Sequence, residues 1–366
     1  MLYKVKVTPL TNIHVGTGNE LSQYDFIVLG YEDNKYFVRF DFFKFMKSLS
    51  RDKLNWFMKL LEWNNVEELK RFVERNIMDK AVLYKVRLNR NFDLSKKIYE
   101  LPRNPFTQEP YIPGSSIKGA IRTSIMYYLN KKFYENKSFI HDVKRGRDYE
   151  AIIADYGFVK EKRFYDRRQK REVEKKIVVQ NIERDPFRLI SLSDAIFPVG
   201  SETINKALYF HKFKKKEETK EVYLETIKGC FIENKEFQTE INFAVNDNFL
   251  KLEGKYIPRF CFNLNEITKM CNTFYYQKFI EKKALYKNVL RGFYKEEIFE
   301  KIESRFKEIL KFNESDASIK KCIVRLGRFS QIENYLLKND NVERKTRRID
   351  NSGYPFGFLE LSFREF

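Results

Sequence analysis

Glu109-Pro-Tyr-Ile-Pro-Gly-Ser-Ser-Ile-Lys-Gly-Ala-Ile-Arg-Thr123 is the stretch from which the rest of the chain can be read. Pro113-Gly114 is a turn dipeptide, and Ser115-Ser116 offers a pair of helix N-caps. Ile117, Ile121, Ile125, Tyr128 and Leu129 then recur at helical spacing, so one face of the new helix is apolar. Lys118 and Arg122 stand four residues apart on another face, within the first two turns. A helix start carries unpaired backbone N–H groups and the positive end of the macrodipole. Two cations beside those amides make a site for anions, phosphate above all. Gly119 inside the helix costs about 1 kcal/mol relative to alanine. That cost points to something approaching the backbone too closely for a side chain. The plainer alternative is a glycine packed under a strand, with both cations merely solvated. A P-loop is set aside, because Ala120-Ile121 stand where that motif needs Lys and Ser/Thr.

The chain has 366 residues, room for two or three packed units, and a formal net charge of +19 with 16% aromatic residues. Cations neutralise phosphates while rings stack on unpaired bases, so this balance suits a nucleic-acid partner. An anionic membrane surface competes less well, since the basic residues are spread along the chain instead of lying on one amphipathic helix. The start, Met-Leu-Tyr-Lys-Val-Lys-Val, has no apolar signal core, and no uninterrupted apolar run could span a bilayer. The expectation is a cytoplasmic protein. Cys230, Cys261, Cys271 and Cys322 form no Cys-x-x-Cys pair, and His14, His141 and His211 show no ligand spacing with them. Neither a zinc site nor any other metal or cofactor is expected.

Leu2 to Leu10 alternates as a first strand and runs into the glycine loop Ile13-His-Val-Gly-Thr-Gly18. Phe26 to Leu29 and Tyr36 to Val38 read as a hairpin, and 40–78 as a helical insertion. Ala81 to Asn89 returns to strand. Lys144 to Lys176 is dense in charge, a surface arm or a basic finger laid along RNA. Phe187 to Val199 reads as a strand broken at Ser193-Asp194. Glu221 to Ile232 and Glu236 to Val245 read as a second hairpin, and Leu264 to Phe312 as helical apart from Gly292. Cys322 to Leu326 is a short strand opening into Gly327-Arg-Phe-Ser330, and a glycine turn and strand close the chain at Tyr354 to Phe363. Strands and helices mix without a βαβ beat, which favours α+β.

The first strand, the Gly-x-Gly loop and Ile112-Pro-Gly-Ser-Ser-Ile-Lys-Gly-Ala-Ile-Arg122 together resemble the RAMP superfamily, the backbone of RNA-guided CRISPR complexes. Phe187-Arg-Leu-Ile-Ser-Leu-Ser-Asp194, Arg325-Leu-Gly-Arg-Phe-Ser330 and Tyr354-Pro-Phe-Gly-Phe358 look like signatures of the fifth subunit of the Csm (type III-A) effector. The segments 40–78 and 144–180 carry none of the resemblance. It implies a ferredoxin-like, RNA-recognition-type core over residues 1–245 with those two insertions, which residues 246–366 complete or extend. It also implies a non-catalytic RNA-binding subunit that caps the 3′ end of the guide RNA and aids its maturation and target RNA binding. The implied partners are guide and target RNA, neighbouring backbone and small helical subunits, and a host ribonuclease that trims the guide. Carried over by residue, Gly114, Ser115, Ser116, Lys118, Gly119 and Arg122 would contact the guide backbone, with His14, Gly16 and Gly18 beside them. The resemblance assigns no contact to Arg325–Ser330; from the residues themselves, Arg325, Arg328 and Phe329 would form a second anion site closing over the RNA, the ring stacking on a base. The plainer reading pairs both arginines with nearby acids.

Two catalytic alternatives stay in view. Asp25 is the nearest match to the aspartate with which the related backbone subunit cuts target RNA, but no second acid or base is evident near it. His14 would be the general acid/base of a metal-independent guide-processing nuclease, although the C-terminal glycine-rich loop of such enzymes is missing here. A scaffold that binds only protein would leave the charge surplus without a partner.

Overall fold

The computed structural model describes residues 1–22, 24–30, 34–88, 96–134, 158–166, 171–179, 186–211, 220–233, 235–245, 263–315, 318–330 and 346–365. Its main layer is a five-stranded sheet in the order β10 (Ile190–Leu192), β14 (Thr239–Val245), β1 (Leu2–Pro9), β17 (Phe358–Glu365) and β15 (Ile319–Arg325). The segment after residue 245 thus supplies two strands of the sheet that β1 begins. Alternation in β1 buries Tyr3, Val5 and Val7, and the register sets Val5 between Ile241 and Phe363 and Val7 beside Leu361. Such cross-strand apolar rows are the unit of sheet stability.

Among the described residues seven helices accompany the sheets: α1 (Phe42–Ser48), α2 (Arg51–Glu62), α3 (Val66–Asn76), α4 (Gly114–Tyr134), the short α5 (Cys230–Glu233), α6 (Leu264–Leu290) and α7 (Glu296–Ser315). A 3₁₀ turn over Arg291–Phe293 separates the last two, where Gly292 interrupts the helical pattern. Helix α4 packs against β10 and α6, while α6 and α7 pack against β15. Strand β15 is an edge, and two asparagines pair with it as a further strand would. Asn272 of α6 accepts from the Ile323 amide at 3.1 Å and donates to the Lys321 carbonyl at 2.9 Å, and Asn313 of α7 bonds both backbone groups of Lys321.

A second five-stranded sheet runs β16 (Thr346–Asp350), β12 (Glu202–His211), β13 (Lys220–Ile227), β6 (Ile98–Tyr99) and β2 (Glu20–Leu21). The expected hairpin of residues 221–232 with 236–245 is therefore not formed. β13 pairs with β12, whereas β14 joins the main sheet, because α5 takes up the intervening residues. A third sheet, β3 (Phe26–Leu29), β4 (Lys35–Phe40) and β5 (Val82–Leu88), carries α1 to α3 on a separate core around Phe45, Phe57, Leu60, Leu69 and Val73. Two-residue strands β7 (Tyr111–Ile112) and β11 (Ala195–Ile196) lead into and away from the site described next. Within the charge-dense segment, β8 (Phe158–Asp166) and β9 (Arg171–Val179) pair with each other; residues 144–157, 167–170 and 180 lie outside the described residues.

Candidate nucleic-acid interface

The twelve residues singled out in the sequence fall into two groups. The first surrounds the start of α4, which begins at Gly114, so Ser115 and Ser116 are inside the first turn and are not its caps. The cap comes from eighty residues away: the Asp194 carboxylate accepts from the Gly114 amide at 2.8 Å. Short pairing of Ile112 with Ala195 brings the two segments side by side. Gly114 itself is obligatory, since a Cβ there would lie 2.5 Å from the Leu192 carbonyl oxygen. Pro113 has no amide and the Ser116 amide turns back to Pro113 O, so the cradle of free amides expected at this terminus is largely spent inside the chain.

Both cations of the group lean on the same remote segment. Lys118 Nζ donates to Ile190 O at 2.6 Å, and the Arg122 guanidinium lies 4.6 Å from the Phe187 ring centroid. Both contacts tie the start of α4 to the segment that also supplies its cap. Gly119 is exposed, and among the described residues beyond its own helical turns no atom lies within 4 Å of where its Cβ would stand.

The second group joins both ends of the chain. The His14 carbonyl accepts from the Arg328 amide at 3.0 Å, and Gly327, at φ 93°, lets that carbonyl approach to 2.5 Å from its Cβ position. Gly357, also left-handed, accepts from Leu326 through its carbonyl and donates to Asn12 O at 3.0 Å. The glycine loop and both C-terminal signatures are thus one structural unit. Gly16 and Gly18 lie on the exposed part of the first loop.

On its surface, the Arg328 guanidinium is exposed and stacks 3.5 Å from the Tyr99 ring centroid. Arg348 lies 4.5 Å from the ring of Tyr209, its partner in the β12–β16 register. Tyr209 is surrounded by Arg348, Arg328 and Tyr99, and burial pushes its phenol pKa up while the two cations pull it down. Arg328–Tyr99 and Arg348–Tyr209 therefore form one basic-aromatic surface across the second sheet. Tyr99, Tyr209 and Arg348 were missed in the sequence. Arg348 ends a basic run, Arg344-Lys-Thr-Arg-Arg348, but strand pairing across more than a hundred residues makes the cluster.

Residues 6–332 match the family model described as the RAMP superfamily. The chain belongs to the RAMP superfamily. Among curated RAMP relatives it is 27% identical over 288 residues to the "CRISPR system Cms protein Csm5" of Methanocaldococcus jannaschii, covering 74% of this chain but 60% of that one. Its fold is also that of a chain in the cryo-EM structure of a Csm–crRNA–target RNA ternary complex of a type III-A CRISPR-Cas system. The TM-score is 0.65 at 19% identity, over 98% of this chain and 100% of that chain. The crystal structure of Csm5 from T. onnurineus gives 0.60 at 18% identity, over 97% and 99%.

Three expected contacts of this RAMP chain need correction. Phe329 is 3% exposed and packs its ring against Tyr209 and Phe356, so it has no face to offer a base. Arg325 is 6% exposed; its Nε donates to Phe356 O at 2.9 Å and its Nη2 to the Tyr286 hydroxyl at 3.2 Å, over the Phe358 ring. Partners inside the fold relieve the cost of burying that cation. His14 is 2% exposed, with Nδ1 2.7 Å from the Glu225 carbonyl, which can only accept. The ring is therefore the neutral Nδ1–H tautomer, and burial lowers its pKa to about 4.

The Glu225 carboxylate continues inward, accepting from the Tyr84 hydroxyl and the Leu101 amide and facing Arg103, which also pairs with Glu202 at 3.1 Å. Asp25 accepts from the Ser22 amide and hydroxyl and pairs with Arg39 at 3.4 Å, the geometry of a turn. Among the described residues, no cluster of His, Cys, Asp or Glu could hold a metal, and no helix is long and apolar enough to cross a membrane.

Proposed function

We propose that this RAMP chain is a Csm5-type, non-catalytic RNA-binding subunit of a type III-A CRISPR effector ribonucleoprotein. The central sheet with its helices is the ferredoxin-like, RNA-recognition-type core, residues 1–245 providing most of it and residues 246–366 completing it. The observation that carries the reading is the pair of arginine–tyrosine stacks, Arg328 on Tyr99 and Arg348 on Tyr209, beside the exposed Gly16–Gly18 loop. Guanidinium groups held over rings keep N–H groups available to phosphates, and basic surfaces with interleaved rings track single strands. Lys118, Arg122 and the bare backbone at Gly119 offer a second set of phosphate contacts at the start of α4. The relatives support guide RNA, target RNA and other Csm subunits as partners; capping at the 3′ end of the guide, contact with neighbouring backbone and small helical subunits, and a host ribonuclease that trims the guide belong to the proposal through the family resemblance.

A non-catalytic role is supported by the two candidate catalysts. A neutral, buried His14 does not exchange protons with a substrate at physiological pH, and Asp25 is committed to its turn and Arg39. The test is binding of labelled single-stranded RNA to the purified chain, followed by incubation with guide precursor with and without magnesium. Binding that weakens when Arg328 and Arg348 are replaced by glutamate, with the RNA left intact, is the expected result. Cleavage that disappears in His14→Ala or Asp25→Ala would overturn the non-catalytic role.

A further inference from the structure

The chain has two tryptophans, and both lie on one face of the α1–α3 insertion, outside every motif that carries the family resemblance. Trp56 stands on α2 and Trp63 at its C-cap, seven residues on and on the same side, with ring centroids 5.6 Å apart and planes at 88°. They are 47% and 60% exposed, while Phe57 and Leu60 on the neighbouring face are buried in the insertion's own core. The indoles are therefore not needed to hold the helix down. Lys59 stands three residues after Trp56 and four before Trp63, so its stem rises between them. Residues 42–63 carry five cations against two acids, and Arg51, Lys53 and Lys59 have no ion pair among the described residues.

We propose that the Trp56–Lys59–Trp63 face of α2 is a second single-stranded RNA site, on which unpaired bases stack while Lys59 neutralises an adjoining phosphate. Charge decides the occupant. Lysine is depleted at the cores of protein interfaces, whereas cations interleaved with exposed rings are the pattern of single-strand binding. A T-shaped pair stacks a base on an open indole face without being prised apart. The site requires that the chain meet RNA, as proposed above, but it does not use the Arg328–Arg348 surface.

Because all indole emission comes from these two residues, fluorescence of the full-length chain reports on this face alone. Oligoadenylate is titrated in, with end-labelled RNA anisotropy measuring binding independently. Binding should quench the emission. Trp63→Ala should weaken affinity by roughly fivefold or more, Trp63→Phe should restore most of it, and the melting temperature should stay unchanged. Lys59→Gln should shallow the salt dependence by about 0.7 log units per tenfold change in salt. Arg328→Glu should lower affinity yet leave the quench at saturation, which separates this site from the sheet surface. RNA that binds without altering the emission, or a Trp63→Ala variant with wild-type affinity, would overturn the proposal. If Trp63→Ala keeps its RNA affinity but no longer joins co-expressed effector subunits, the face is a protein interface and the proposal fails.

Discussion

Gly114 and Gly119 lie on one helix in opposite surroundings, and alanine should act on them in opposite directions. At Gly114 the new methyl meets the Leu192 and Ser193 carbonyls, and overpacking of that kind costs about 1–3 kcal/mol. At Gly119 nothing is in the way, and alanine should raise stability by up to about 1 kcal/mol. If the bare helix surface exists for RNA, Gly119→Ala should also weaken RNA binding. Thermal melts and a binding titration on that variant decide it; a higher melting temperature with unchanged affinity removes Gly119 from the interface. His14 allows a test through pH. Its folded pKa of about 4 lies below the 6.5 of a free histidine, so the unfolded chain takes up the proton first on acidification. The stability involved is present above pH 6.5 and lost as pH falls towards 4, about 3 kcal/mol at full extent. Asp350, raised to about 6 by burial, has the opposite sign over much of the same range, since its protonation favours the folded state. The difference between wild type and His14→Gln isolates the histidine: wild type should lose about 3 kcal/mol more on going from pH 6.5 to 4. Parallel profiles in chemical denaturation would contradict the buried neutral ring.

At the scale of elements, α4 depends on a carboxylate from elsewhere in the chain. Asp194→Ala should cost about 0.5–2 kcal/mol and fray the first turn, while Asp194→Asn, which still accepts from Gly114, should cost less. Hydrogen exchange at Ser115 to Ile117 would register the fraying directly; equal protection in wild type and Asp194→Ala would mean the cap is not needed. The apolar stripe of α4, the break at Gly292 and the alternation of β1 were all legible, because each is set by neighbours within two turns or one strand. The mate of α4 was not. Phe187 to Asp194 stood out only as a signature, and nothing local says that its carboxylate, carbonyl and ring serve Gly114, Lys118 and Arg122. The false hairpin of 221–245 has the same origin, since β13 and β14 both alternate convincingly and only tertiary packing assigns them to different sheets. At 325–330 the residue types were read correctly and their direction was not. In a strand that ends in a left-handed glycine, the reversal at Gly327 sends Arg325 and Phe329 inward and leaves only Arg328 outside.

For the whole molecule, a formal charge of +19 is a field that draws polyanions, and it costs self-repulsion when they are absent. Some of the 70 cations serve the fold. Arg103 and Arg325 are interior, and Lys283, Arg305 and Lys307 are paired with acids on α7 and β17. Arg328 and Arg348 are held over rings at one surface, on Tyr99 and Tyr209. The most direct measurement is the salt dependence of single-stranded RNA binding by the wild-type chain and by Arg328→Ala/Arg348→Ala. The logarithm of the binding constant should fall steeply with the logarithm of salt, by roughly 0.7 per phosphate neutralised, and the double variant should shallow that slope by about 1.4 while melting like wild type. A flat response in the wild type, or a double variant with an unchanged slope and affinity, would contradict an RNA path across this surface.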